Sequence, residues 1–458
     1  MANSLKFGTS GLRGLAEELA GAETRRYAAA FVRYLRQDSW SGTEILIGRD
    51  LRVSSPEIAV DVLAALAGMG VTALDAGEVP TPALALAAMQ RGLPAIMVTG
   101  SHIPGDRNGL KFYRPDGEID KTDEAGIVGA LGDAPTGEGT AIGAADVLAG
   151  YRARYAGLLP SGSLSGWRIG VWQHSTVARE LLGALLASAG AEIVPLGRSE
   201  SFVAVDTEAV APSDARQIAD WVAAHKLDAL VSADGDGDRP LLATGDGALV
   251  RGDVLGMLAA QFLGATTVVT PVTSVSTVET LFPHVIRTMV GSPFVIAGMR
   301  GAAAPVIGFE ANGGLLLGSE VRVGDVALTA LPTRDAILPL VAVLLAARQS
   351  HKSIAELVLT LPPRFAASGR LQHVPETKSD ILFERLQRAP AAFFAAQGAV
   401  TAQSDIDGLQ SRLASGEVIH YRRSGNAPEL RCYTEAATAE RAEALLQWGL
   451  SAAEALVR

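Results

Sequence analysis

Ile45-Leu46-Ile47-Gly48-Arg49-Asp50-Leu51-Arg52-Val53-Ser54-Ser55-Pro56-Glu57 changes character twice. The branched apolar run reads as a buried strand and Gly48-Arg49-Asp50 as a loop. Ser54 and Glu57 form a capping-box pair, with Pro56 in the first turn of a helix. Ile58, Val62, Leu63 and Leu66 line the apolar side of that helix, which stops near Gly70, and Val71 to Leu74 returns as strand. Strand, helix and strand in this order predict a parallel βαβ unit with ligand loops at the strand C-terminal ends.

The scheme recurs along the chain. A strand from Ala95 to Thr99 delivers Gly100-Ser101-His102. A second region has strand Arg168 to Trp172, a helix from Thr176 to about Ser188, strand Glu192 to Leu196, a helix begun by Ser213, and strand Asp228 to Ser232 feeding Asp234. In a third, Thr266 to Thr270 and Val285 to Val290 read as strands, and strand Val306 to Phe309 ends at Glu310-Ala311-Asn312-Gly313-Gly314. The tail differs: Glu417 to Tyr421 and Leu430 to Tyr433 read as strands and Ala437 to Leu456 as a helix, which makes a smaller α+β domain. Gly- and Pro-rich stretches near Thr136 to Gly143, Gly245 to Gly252 and Leu361 to Arg364 mark the boundaries. The expected fold class is α/β, with three similar βαβ-type mixed-sheet domains (1–145, 146–250 and 251–365) plus the C-terminal α+β domain (366–458).

At 458 residues the chain exceeds what one hydrophobic core supports, so several domains are required. Hydrophobic residues reach 48%, yet no run approaches the roughly 20 unbroken apolar residues of a membrane span, so no membrane partner is expected. Met1 to Arg13 lacks the apolar core of a secretory signal, and a single cysteine, Cys432, excludes an internal disulfide. Both fit a cytoplasmic location. A net charge of -10 argues against a nucleic-acid partner, because phosphate-backbone affinity rests on clustered Lys and Arg. Any anionic substrate must therefore meet local positive charge. Nothing in the sequence specifies an oligomeric state.

Asp234-Gly235-Asp236-Gly237-Asp238-Arg239 is the sharpest motif. Carboxylates at alternate positions repel one another unless a cation sits among them, and hard divalent ions take such oxygen ligands. An EF-hand is excluded, because its sixth position would be Arg239 and its twelfth Gly245. The plain alternative is a solvated acidic turn, against which the preceding apolar strand argues. Arg239 is positioned to hold a phosphate. In Thr99-Gly100-Ser101-His102-Ile103-Pro104-Gly105-Asp106-Arg107-Asn108-Gly109-Leu110-Lys111, Ser101 is a candidate nucleophile, with His102 and Lys111 as candidate proton carriers. No Gly-x-Ser-x-Gly elbow surrounds it, which counts against an esterase. Arg422-Arg423-Ser424-Gly425-Asn426-Ala427-Pro428, followed by Arg431, could grip a phosphate through guanidinium forks and backbone N–H groups, or could be a basic surface turn. Gly8-Thr9-Ser10-Gly11-Leu12-Arg13-Gly14 could cradle an anion, though it is neither dinucleotide fingerprint nor P-loop. Glu310 and Asn312 could bond two sugar hydroxyls.

These motifs in this order resemble the α-D-phosphohexomutase family, and the resemblance runs from Phe7-Gly8-Thr9-Ser10-Gly11-Leu12-Arg13-Gly14 to Arg422-Arg423-Ser424-Gly425. It implies four domains around a central cleft. It makes Ser101 a phosphoserine, and Asp234, Asp236 and Asp238 ligands of magnesium together with that phosphate. His102 and Lys111 become proton carriers, with Arg13 and Arg239 beside them in the catalytic set. Glu310 and Asn312 become the sugar-binding pair, and Arg422, Ser424, Gly425, Asn426 and Arg431 the clamp on the distal phosphate. Departures occur at Gly100 and Ile103, where the family more usually has alanine and asparagine, at Asn312 in place of a serine, and at Gly314, where many members have histidine.

The implied reaction moves a phosphoryl group between the 1- and 6-oxygens of a hexose phosphate through a bound 1,6-bisphosphate, with a trace of sugar 1,6-bisphosphate as activator. The stretch Ser424 to Tyr433 resembles bacterial phosphomannomutases, which implies mannose phosphate, with glucose phosphate as a second substrate. Glu310 and Asn312 bring no second carboxylate for the ammonium of glucosamine, which disfavours a phosphoglucosamine mutase over a phosphoglucomutase. Two rivals stand beside these. An inactive sugar-phosphate-binding homologue is opposed by the intact Ser101, aspartates and Lys111, and a metal-dependent phosphatase would release free phosphate without isomerisation.

Overall fold

A computed structural model describes residues 4–8, 11–135, 145–424 and 428–457. The chain divides into two compact units, Met1–Val269 with Gly291–Val358, and Thr270–Val290 with Leu359–Arg458.

The first unit begins with a mixed sheet of β1 (Lys6–Phe7), β2 (Leu12–Leu15), β3 (Glu44–Arg49), β4 (Thr72–Glu78), β5 (Ala95–Val98), β6 (Arg107–Arg114) and β7 (Gly117–Glu118). Its order is β1-β2-β6-β5-β3-β4, with β7 on β6. Ile45, Leu46 and Ile47 are all buried, as a central strand covered on both faces requires. Ile58, Val62 and Leu66, from helix Ser55–Gly68, pack into one core with Phe31, Val32 and Leu35 from helix Ala22–Gln37. The Ser54/Glu57 capping box does not form. Ser54 has helical dihedrals and makes no side-chain cap; its Oγ instead accepts from Asn108 Nδ2 at 2.9 Å, while Ser55 Oγ donates to Asp50. Tertiary polar partners thus outcompete the local cap.

A second sheet holds β8 (Arg168–His174), β9 (Glu192–Arg198), β10 (Ala229–Ala233) and β11 (Pro240–Thr244), in the order β11-β10-β8-β9. In a third, β12 (Thr267–Pro271) lies parallel to β14 (Val306–Phe309). β13 (His284–Thr288) belongs to the second unit. β15 (Leu315–Leu317) follows β14, and β16 (Val321–Val323) with β17 (Val326–Leu328) makes a separate ribbon before β18 (Leu331–Asp335).

The three sheets share a device that makes each of them mixed, as the expected fold class has it. β5, β10 and β14 each pair parallel with a neighbour, and the chain then returns antiparallel through β6, β11 and β15. Each chemistry-bearing loop is the turn of such a hairpin. The return strand β6 escaped the reading because Asn108 and Lys111 interrupt its apolar pattern, yet both are buried. They are polar residues with dedicated partners.

The second unit contains an antiparallel sheet of β19 (Phe365–Gln372), β20 (Val400–Ser404), β21 (Leu409–Leu413), β22 (Val418–Arg423) and β23 (Glu429–Ala436), ordered β19-β23-β22-β21-β20. Helices Glu376–Arg388 and Ala439–Val457 bury Leu382, Leu386, Leu445 and Leu446 with Ile419, Tyr421, Leu430 and Cys432 of the sheet. This is the α+β tail the sequence predicts. Among the described residues no helix is long and apolar enough to cross a membrane.

Backbone approach fixes the loop after β14. A Cβ built on Gly252, the first residue of helix Gly252–Phe262, would stand 2.2 Å from Gly313 N and 2.3 Å from Ala311 O. We expect Gly252→Ala to displace the Glu310–Gly314 loop, to cost about 1–3 kcal/mol of stability by overpacking, and to reduce activity by more than that stability loss explains. Parallel denaturation and activity measurements check this, and unchanged values for both would contradict it.

Candidate active site

Ser101 sits at the tip of the β5–β6 hairpin with a left-handed φ of 53°, a conformation that a residue with a Cβ adopts only under local constraint. The constraint is visible. Ser101 N donates to Thr99 Oγ1 at 2.8 Å, and Thr99 Oγ1 donates to the buried Asp50 at 2.7 Å. Arg52, fully buried, donates to the carbonyls of Ser101, Ile103, Pro104 and Arg107 at 2.6–2.8 Å. Asp50 holds Arg52 Nε at 3.2 Å, and the Phe202 ring lies 3.9 Å from its guanidinium carbon. A Cβ on Gly100 would fall 2.5 Å from that same carbon, so Gly100 is the residue that lets the arginine close over the loop.

The loop between β10 and β11 brings Asp234, Asp236 and Asp238 together, with one carboxylate oxygen from each within 4.8 Å of the others. All three are buried. Asp234 Oδ2 accepts from Ser101 Oγ at 2.5 Å, and Asp234 Oδ1 accepts the N–H groups of Asp238 and Arg239. Lys111 Nζ lies 2.6 Å from both Asp236 Oδ2 and Asp238 Oδ2. Thr81 Oγ1 donates to Asp236 Oδ2, and Thr176 Oγ1 to the Asp234 carbonyl. Asp236 Oδ1 and Asp238 Oδ1 are buried with no hydrogen-bond partner. Two orphaned carboxylate oxygens beside a third carboxylate and a serine oxygen form a hard, all-oxygen donor set that fits a divalent metal ion.

Charge crowding shapes every neighbour. Burial, with Asp236 and Asp238 beside it, pushes the Asp234 carboxyl well above its usual range. Burial also works against Asp238, but Arg334, Lys111 and Arg239 hold it below that range. Lys111 loses solvation, yet Asp236 and Asp238 raise it, so it stays an ammonium. Burial and the nearby Arg239 and Arg334 bring the Arg13 guanidinium down to about 10. Burial and the same arginines push His102 far down, so its ring is neutral, with Nδ1 3.2 Å from Ser101 Oγ. Arg239 is buried, with Nε unpartnered; its nearest carboxylates, Asp206 and Asp238, stand 3.8–3.9 Å away.

Glu310 follows β14 directly. Its Oε2 accepts from Arg334 Nη1 at 3.0 Å, and Arg334 also donates to Asp238 Oδ2 from Nε and Nη2 at 3.1 and 2.9 Å. Asn312 Oδ1 accepts Gly314 N at 3.0 Å, which leaves its amide Nδ2 as the group it can offer a hydroxyl. The first unit therefore assembles Arg13, Ser101, His102, Lys111, the three aspartates, Arg239 and, through Arg334, Glu310.

In the second unit, Arg422 on β22 stands directly opposite Arg431 on β23, which stands opposite Arg370 on β19. Side chains in register share a sheet face, and like charges so placed repel unless an anion joins them. Asp407 holds Arg422 Nε at 2.6 Å, and Ser424 N bonds the Glu429 carbonyl at 2.9 Å. Gly425 and Asn426 lie outside the described residues, as do Thr9 and Ser10.

Sequence reasoning missed Asp50, Arg52, Thr81, Arg334, Arg370 and Asp407. A signal existed for two of them. Arg52 follows Asp50 in the loop that closes β3, and Arg334 stands beside Asp335 just before the apolar helix Ile337–Gln349.

Comparison with known proteins agrees with this geometry. The family description "Phosphoglucomutase/phosphomannomutase, alpha/beta/alpha domain" matches as domain I over residues 4–134, domain II over 158–247 and domain III over 251–365. The chain is 45% identical to a phosphomannomutase of Sinorhizobium fredii (strain NBRC 101917 / NGR234), covering 97% of this chain and 98% of that one. It is 42% identical to a phosphomannomutase of Salmonella muenchen, over 98% and 95%. A phosphoglucomutase/phosphomannomutase family protein of Burkholderia thailandensis shares the fold at a TM-score of 0.78 and 24% identity, covering 98% of each chain. Matched across three successive domains and along nearly the full length of curated relatives, the chain belongs to the phosphoglucomutase/phosphomannomutase family.

Proposed function

We propose that this protein is a phosphohexomutase that interconverts mannose 6-phosphate and mannose 1-phosphate, with glucose phosphate as a second substrate. One observation carries the reading: the Ser101 hydroxyl contacts Asp234 of a buried aspartate triad that keeps two carboxylate oxygens unpartnered. The mannose assignment is supported by the two curated phosphomannomutases at 45% and 42% identity. Glucose and mannose differ in one hydroxyl direction, and a loop gripping the hydroxyls beyond it separates them weakly.

In the proposed reaction, phosphorylated Ser101 gives its phosphoryl group to the free hydroxyl of a sugar phosphate. The Ser101 Oγ–P bond breaks, a sugar O–P bond forms, and the hydroxyl proton passes to a base. His102, whose Nδ1 lies 3.2 Å from Ser101 Oγ, and Lys111, beside Asp236 and Asp238, are the proposed proton carriers. A divalent ion, magnesium in this reading, would be held by Asp234, Asp236, Asp238 and the Ser101 group, and supplies charge neutralisation for the phosphoryl oxygens. Arg13 and Arg239 add fixed positive charge without moving. The resulting 1,6-bisphosphate turns end for end, and Ser101 takes the other phosphoryl group back. A trace of sugar 1,6-bisphosphate would prime Ser101.

Glu310 and Asn312 are proposed to bond the sugar hydroxyls, and Arg422, Ser424, Gly425, Asn426 and Arg431 the phosphate that is not reacting. A cytoplasmic location, and a division of roles among 1–145 (phosphoserine), 146–250 (metal), 251–365 (sugar) and 366–458 (phosphate), complete the proposal. The deciding assay compares isomerisation of mannose 1-phosphate, glucose 1-phosphate and glucosamine 1-phosphate with magnesium and activator. A clear preference for the amino sugar would overturn the mannose assignment.

Ser101→Ala is expected to keep the fold by circular dichroism and to lose about three orders of magnitude in turnover or more; near wild-type turnover would remove the phosphoserine from the mechanism. Excess chelator is expected to abolish activity and added magnesium to restore it, with manganese supporting an altered rate. Full activity in chelator would make the triad a plain acidic turn. Arg422→Ala is expected to raise the Michaelis constant for sugar phosphate roughly tenfold, with a smaller loss of turnover, because it removes a charge-assisted phosphate contact; an unchanged constant would place the clamp elsewhere.

A further inference from the structure

Arg334 has no part in the family resemblance, and it lies between the metal loop and the sugar loop. Its side chain is 3% exposed and bridges Asp238 Oδ2 and Glu310 Oε2 at 2.9 and 3.0 Å. The space it occupies exists because residue 314 is glycine. A Cβ there would stand 2.6, 2.8 and 3.0 Å from Arg334 Cδ, Cγ and Cβ, near the rigid end of the side chain and not its mobile tip. Gly314 and Arg334 therefore form a matched pair. Gly314, which departs from the family's usual histidine, gives the room, and Arg334 fills it with a fixed cation.

We propose that Arg334 is a specificity-determining positioning residue, which orients Glu310 toward a neutral hexose phosphate and excludes a hexosamine phosphate. This rests on the sugar-binding reading of Glu310 given above. An ammonium on the sugar ring, taken out of water, needs a carboxylate whose charge is not already paired. The Glu310 charge is paired by Arg334 through Oε2, and a cationic sugar would approach a buried guanidinium of like charge. Hydroxyls carry no such penalty. They donate to a carboxylate whose direction the Arg334 fork has fixed.

The test uses the full chain and reads two quantities for the wild type and for Arg334→Gln, Arg334→Lys and Gly314→Ala. These are catalytic efficiency, and the calorimetric dissociation constant for mannose 1-phosphate and glucosamine 1-phosphate. Arg334→Gln is expected to weaken mannose 1-phosphate binding about tenfold and to raise the glucosamine-to-mannose ratio about tenfold in both readouts. Arg334→Lys, with the charge kept and the fork lost, should fall between. Gly314→Ala retains every charge and displaces Arg334, and should move the ratio in the same direction; it decides the matter if Arg334→Gln does not fold. Ratios unchanged within about twofold in folded variants would overturn the inference. A wild type that binds mannose 1-phosphate selectively but isomerises nothing would sink the mutase reading and leave Arg334 standing, whereas a wild type that binds neither sugar overturns both.

Discussion

Three carboxylates confined within 4.8 Å of one another, all buried, persist only where positive charge is supplied close beside them. That requirement organises the first unit. Lys111 comes from β6, Arg334 from β18, Arg13 from β2 and Arg239 from the end of the aspartate loop itself, so the compensation is spread over separate strands of the unit. Two of these cations are each bound to two acids. Lys111 bridges Asp236 and Asp238, and Arg334 bridges Asp238 and Glu310. A change at any one of them redistributes charge through the whole group, so this centre acts as one unit instead of a list of contacts.

The hairpin device explains how one kind of scaffold serves different chemical ends. A buried parallel strand gives each loop a rigid start, and the antiparallel return gives it a rigid finish within a few residues. Such a turn has little freedom to relax, and Ser101 shows the result in its left-handed backbone. Arg52 completes the constraint with its bonds to the loop carbonyls. A side chain that binds backbone carbonyls holds the loop whatever residues the loop carries, so Ile103, at a position where the family differs, is accommodated without loss of the serine's placement.

The strand pattern and the acidic and phosphate loops were legible in the sequence because local chemistry specifies them. Apolar runs ending in Asp234, Ser101 and Glu310 read directly as strands that deliver polar groups. What escaped was long-range. The Ser54 cap failed because Asn108, more than fifty residues away, took the hydroxyl that local rules assign to the helix end. Arg52 and Arg334 carried only a faint local signal for the same reason, since most of their partners are carbonyls and carboxylates brought near only by folding. Position 314 departs from the family resemblance in the sequence, but its meaning depends on Arg334, twenty residues further on. An isolated glycine and an isolated arginine say little, and their complementarity appears only in three dimensions.

The second unit solves the opposite electrostatic problem. Arg370, Arg431 and Arg422 stand in a row across β19, β23 and β22, where Glu429 pairs with Arg370 and Asp407 with Arg422 and so offset part of their repulsion. Asp407 fixes one guanidinium by Nε alone, so the Arg422 fork keeps its terminal nitrogens for other acceptors. Recognition by charge and fork geometry responds to a phosphate group and not to the carbon that bears it. That indifference is what the proposed reaction demands, because the same sugar presents its 1-phosphate in one half-reaction and its 6-phosphate in the other. Discrimination between sugars must then reside with the groups that meet the ring, a task the proposal gives to the buried Glu310–Arg334 pair.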